Sequence, residues 1–199
     1  MGEKQFWDII RVACQGEWIV LAPDGEDDTS WDEFRWFRPL MVELKKLPPK
    51  DIAYFQFWFD EKIDALYTWD LWGAMRLLTG SESDNRFSFF RAWLVCMGKE
   101  VYEAALADPD TLADVIDPRR EQDYTSGFCS PELNAWNELG LTTKDFDEVY
   151  DTFGTRRRPQ ITGEEWPSDI TSTMLRQRYP RLALLLGVVD DESAEASQE

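Results

Sequence analysis

Apolar residues recur at helical spacing along most of the chain. Phe6, Ile9, Ile10 and Ala13 share one face of a segment running from Lys4 to Cys14. Ile52, Phe55, Phe59, Ile63 and Leu66 form a longer stripe, which predicts a buried helix face. Pro48 and Pro49 precede it. The pair stops one helix, and Pro49 suits the first turn of the next. Trp69 to Thr79 is a second apolar helix, ended by Gly80, a residue that accepts the left-handed C-cap conformation. Ser81 and Asp84 read as a capping box before a helix from Phe87 to Met97. In that helix Phe87, Phe90, Leu94 and Met97 make one seam, and Phe89, Trp93 and Cys96 make another, so it is expected to be central. Gly98 breaks the run, and Lys99 to Ala107 resumes it. Asp108 and Pro109 open a short helix to about Val115.

Further along, Ser130 and Pro131 open a helix to Leu139, closed by Gly140. Thr142 and Asp145 cap another to about Thr152. Asp169 to Tyr179 and Pro180 to Leu186 are the last two. Between these lie segments without helical period. Trp18 to Ala22 is a brief apolar run, and Pro23 to Thr29 is an acidic loop. Ser30 and Glu33 form a capping box for a helix toward Lys46, which Pro39 kinks or restarts. Asp117 to Cys129 and Gly154 to Pro167 read as irregular. Alternation of period two is nearly absent, and no internal repeat is visible. The expected fold is mainly α: a single-domain multi-helix bundle over residues 1–189, with long irregular connections. Residues 190–199 carry five acids, no base and no large apolar side chain, which predicts a disordered acidic C-terminal tail.

Composition adds weight to the core and narrows the chemistry. Among 199 residues there are 10 Trp, 12 Phe and 6 Tyr, enough aromatic area for a well-packed interior. With no histidine, a Ser-His-Asp triad, a Cys-His pair and a His-ligated zinc are excluded in cis. Cys14, Cys96 and Cys129 include no CxxC, which excludes a four-cysteine zinc site and a redox dithiol. No cofactor is called for. A net charge of −18 opposes nucleic acid and anionic membrane as partners. The opening MGEKQFWDII lacks a basic stretch followed by an apolar one, and no apolar run approaches the ~20 residues of a spanning helix. The expected location is the cytoplasm, with reduced thiols.

Four blocks carry a resemblance. FDEKIDALYTWDLWGA (59–74), FFRAWL (89–94) and GKEVYEAALADPDTLA (98–113) are similar to the bacterial domain-of-unknown-function family 4240, and RYPRL (178–182) resembles the end of its longer members. The family-like core covers about 48–116. Members typically carry a Ser-Asp-Asp-Gly-Phe turn, where this chain has Ser83, Asp84, Asn85, Arg86 and Phe87. The resemblance implies a helical bacterial cytosolic domain and no particular activity.

Candidate chemistry concentrates in the same stretch. Asp60 and Asp64 share a helix face, Asp70 follows, and Glu82 and Asp84 sit at the next helix start. Such carboxylates can hold a cation or do acid–base work, or can simply line a solvated face and cap a helix. Arg91 lies between Phe90 and Trp93 on the helix expected to be most buried, so it needs compensation, and Asp60, Asp64 or Asp70 is the nearest supply. Trp69 and Trp72 would wall a pocket around that pair, or the pair would lock two helices. Arg156 to Arg158 is the only basic run, suited to an anion or to the protein's own acidic surface. Trp31 and Trp36 can mark an interface or belong to the core. The leading expectation is a protein-binding or regulatory module whose partner carries a basic patch. The alternative is a small-molecule sensor or enzyme with its pocket around Asp60, Asp70 and Arg91.

Overall fold

Burial of one apolar face explains each helix in turn. A computed structural model describes residues 1–13, 38–118, 131–154 and 159–188. In α1 (Glu3–Ala13) the expected face of Phe6, Ile9, Ile10 and Ala13 is buried, with Trp7 beside it. α2 (Arg38–Leu44) has Pro39 as its second residue, a first-turn position that tolerates proline. α3 (Pro49–Ala65) begins at Pro49, and its stripe from Ile52 to Ile63 continues to Leu66, all of it buried. α4 (Trp69–Thr79) is capped by Thr68, whose hydroxyl accepts from Leu71 N–H, and is closed by Gly80 at φ 64°. α5 (Asp84–Cys96) is the central helix: Phe87, Phe90 and Leu94 are fully buried. Its outer seam is less enclosed, with Phe89 and Trp93 half-buried.

The cap of α5 differs from expectation. Ser83, adjacent to the first helical residue, accepts from Arg86 N–H. Ser81 instead accepts from Ser83 N–H and shapes the turn before the helix. α6 (Lys99–Ala107) runs into a 3-10 turn at Pro109–Asp114, where Asp108 accepts from Asp110 N–H. α7 (Pro131–Glu138) and α8 (Thr143–Asp151) follow, the latter with the full Thr142–Asp145 capping box. α9 (Ser172–Arg178) starts later than its sequence suggests, because Thr171 caps it and accepts from Met174 N–H. α10 (Pro180–Leu186) closes at Gly187 with φ 66°.

One large apolar cluster joins α1 to α6 with Ile170, Leu175, Tyr179 and Leu182 of the C-terminal segment. A smaller cluster of Ile52, Ala53, Trp136 and Phe146 holds α7 and α8 against α3. The C-terminal helices dock on α4 and the 3-10 turn through specific polar contacts. Tyr179 donates to Asp70 O at 2.6 Å, and the Trp166 indole donates to Trp69 O at 2.9 Å. Buried Asp110 accepts from Leu182 N–H at 2.9 Å and Arg181 N–H at 3.2 Å, which caps α10 from a distant element. Residues 68 and 162 form an isolated parallel bridge, and no named strand occurs among the described residues. No helix there is long and apolar enough to cross a membrane. The expectations for Cys14 to Phe37, Arg119 to Ser130, Arg156 to Arg158 and the tail lie outside the described residues.

Candidate functional site

Of the three carboxylates expected to gather around Arg91, Asp64 acts on it electrostatically, whereas Asp60 and Asp70 have other companions. Asp60, on α3, accepts from the Tyr150 hydroxyl of α8 in a short bond and from Gln56 Nε2 at 2.7 Å. Asp70, in the first turn of α4, forms a two-point pair with Arg178 of α9, with its Oδ1 at 3.0 Å from Arg178 Nε. That contact raises the guanidinium's affinity for its proton. Trp69 and Trp72 meet edge to face at 5.6 Å on the same turn. Asp84 is exposed at the start of α5, where a carboxylate suits the positive end of the helix.

Arg91 itself is buried, 7% exposed, as its neighbours in sequence suggested. Its guanidinium donates to Ile63 O at 3.0 Å and to Ser88 Oγ at 3.1 Å. It lies 4.5 Å from the Tyr67 ring centre and 5.0 Å from that of Phe87. Ile63 is in the last turn of α3, whose carbonyls carry partial negative charge, and ring faces attract cations. A helix end and two aromatic faces thus do part of what a carboxylate was expected to do. Burial lowers the Arg91 pKa, while Tyr67, Asp64 and Asp84 oppose that shift.

A second cationic group, Lys62, is less buried, 17% exposed at its side chain, but more aromatic rings surround it. Lys62 Nζ donates to Glu3 Oε1 at 2.5 Å and lies 5.4 Å from the Trp58 ring centre, 5.9 Å from Trp7 and 6.0 Å from Tyr102. Three helices supply this box: α1 gives Glu3 and Trp7, α3 gives Trp58 and Lys62, and α6 gives Tyr102. Hydrogen bonding from Lys62 holds the Glu3 carboxyl below its usual pKa. Burial pushes the Tyr102 phenol up to about 12, helped by the Glu3 charge, and its hydroxyl donates to Lys62 O at 3.3 Å. Beside the box a cleft of about 500 Å³ opens between α1 and the joint of α5 with α6. Glu3, Trp7, Ile10, Cys96 and Met97 line it. The sequence reading did not single out Lys62. The available signal was that Lys62 is the only base between Lys50 and Arg76, set among aromatics and acids.

The model of the family described as protein of unknown function, DUF4240, matches residues 1–135. The chain belongs to the DUF4240 family. No curated protein and no solved structure matches it. In this DUF4240 chain the three sequence blocks within the match build the second half of α3, then α4, the middle of α5, and α6 with the 3-10 turn. They supply Lys62, Arg91 and Tyr102, so both enclosed cations lie within the DUF4240 match. The RYPRL block lies beyond it and provides Arg178, Tyr179 and Arg181, which fasten the C-terminal helices to α4 and the 3-10 turn. Among the described residues no group of three or more Cys, Asp or Glu side chains is placed to hold a metal ion.

Proposed function

We propose that the chain is an intracellular binding or regulatory module whose partner is a protein with a basic patch. The observation that carries this reading is how the bases are used. At least ten lysine and arginine side chains of the described residues already face acids of the same chain, including Lys4, Lys45, Lys62, Arg76, Arg178 and Arg181. The exposed pairs among them are each worth under about 1 kcal/mol. Their main effect is to neutralise charge locally, while the chain as a whole keeps its excess of 18 acids. That excess favours encounter with a cationic surface and speeds it by long-range attraction.

The small-molecule reading draws less support, because Asp60 is engaged by α8 and Asp70 by α9, apart from the Arg91 setting. Titration with a lysine-rich peptide at about 0.15 M salt, where exposed charges are screened beyond about 8 Å, tests the binding reading. A saturable one-to-one complex is expected. Association that never saturates, or that vanishes at this ionic strength, overturns it.

A further inference from the structure

The Lys62 box has the composition of a receptor for a positively charged nitrogen: three aromatic faces and one carboxylate. We propose that Trp7, Trp58, Tyr102 and Glu3 form an ammonium-binding site that Lys62 fills in the free chain, and that a methylated lysine side chain of the basic partner takes its place. This rests on the binding reading above and names the site it uses.

Three features favour a methylated group. The ring centres stand 5.4 to 6.0 Å from Nζ, at the outer part of the ~6 Å range over which a ring attracts a cation. The box is therefore wide for a bare ammonium, and methyl groups would fill the gap. Next, the exchange favours the methylated ligand in water. Released Lys62 regains the strong hydration of a primary ammonium, whereas a trimethylated nitrogen gives up less on entering. Third, there is a way in. Glu3 is 46% exposed at its side chain, and with Trp7 it also lines the 500 Å³ cleft, which has room for an incoming stem. The bases at that cleft, Lys4, Arg11 and Lys99, are matched by the acids Glu3, Asp8 and Glu100 on its lining, and Lys4 and Arg11 both pair with Asp8.

Choline is the probe, with 3,3-dimethyl-1-butanol as its uncharged isostere. In the parent protein choline should quench tryptophan fluorescence saturably and shift the Lys62 side-chain NMR resonances toward those of free lysine. The isostere should be at least about tenfold weaker, because it lacks the charge the rings attract. Lys62→Met, which keeps the stem and removes the competing ammonium, should bind choline about tenfold more tightly than the parent. Glu3→Gln should weaken it several-fold. No choline preference over the isostere in the parent overturns the proposal, and that measurement decides alone if Lys62→Met fails to fold. A lysine-rich peptide that binds while choline does not would leave the partner reading standing and the box disproved. Choline binding without peptide binding would do the reverse.

Discussion

Arg91 is a cation solvated by a helix end. Truncation to alanine removes its bond to Ile63 O, its ring contacts and its volume, and should cost about 2–4 kcal/mol. Arg91→Met should cost under about half as much. Ile63 O keeps a second donor in Leu66 N–H, and the substitution also removes a buried Nε with no hydrogen-bond partner. Urea midpoints check this; equal losses for the two variants would show that the charge itself is needed. Tyr102 makes a pH prediction. Its phenol has a folded-state pKa of about 12 against an ordinary 10.0, so the fold favours the protonated form. The stability it contributes is complete below about 10 and is lost as pH rises toward about 12. Tyr102→Phe should flatten that alkaline loss in melts at about pH 9 and 11, while costing about 1 kcal/mol at neutral pH through the missing hydrogen bond. Burial of Arg91 was legible from Phe90 and Trp93 beside it. The carbonyl of Ile63 was not, because a backbone acceptor has no letter in a sequence.

At the scale of elements, Gly73 decides how the C-terminal helices sit on α4. A Cβ there would lie 2.6 Å from the Tyr179 hydroxyl and 2.7 Å from Trp166 Nε1. Gly73→Ala should therefore destabilise by at least about 2 kcal/mol despite alanine's better helix propensity, and adding Tyr179→Phe should recover part of the loss. A thermal melt of the single and double variants reads the coupling. Asp110→Ala should remove the distant cap of α10 and cost about 1–2 kcal/mol. Hydrogen exchange should show the loss concentrated in Leu182 and its neighbours. The helices themselves were readable because proline, glycine and hydroxyl caps act over three or four residues. Pro49, Gly80 and the Thr142–Asp145 box all stand where local rules put them. Asp110 was invisible to the same rules, since the Arg181 N–H it accepts from lies 71 positions later. Ser83 caps α5 where Ser81 was expected to, because a cap must adjoin the first turn.

For the whole molecule, charge and core make separate predictions. With 18 excess acids, duplex DNA should not bind at physiological salt, and a salt-sensitive mobility shift would refute this. The core reaches past the family match, since Ile170, Leu175, Tyr179 and Leu182 belong to the main cluster. A chain lacking residues 159–188 should lose its cooperative melt, because α4 would expose the face those residues cover. The helical class followed from periodicity over the whole chain. The Lys62 box did not, since it needs Glu3, Trp7, Trp58 and Tyr102 brought together from across the first half of the chain, and such long-range pairings leave no local pattern.

The hold of Tyr179 on Asp70 also sets the order in which the protein can be completed. Its two ends are 109 positions apart, and synthesis delivers α4 long before Tyr179 exists. Until then the Gly73 face of α4 is open, and closing so long a loop is slow. A nascent chain thus carries an unfinished apolar seat while the 109 positions from Asp70 to Tyr179 are made, a window in which chaperones, or a second nascent copy offering its own Trp166 and Tyr179, have access to it.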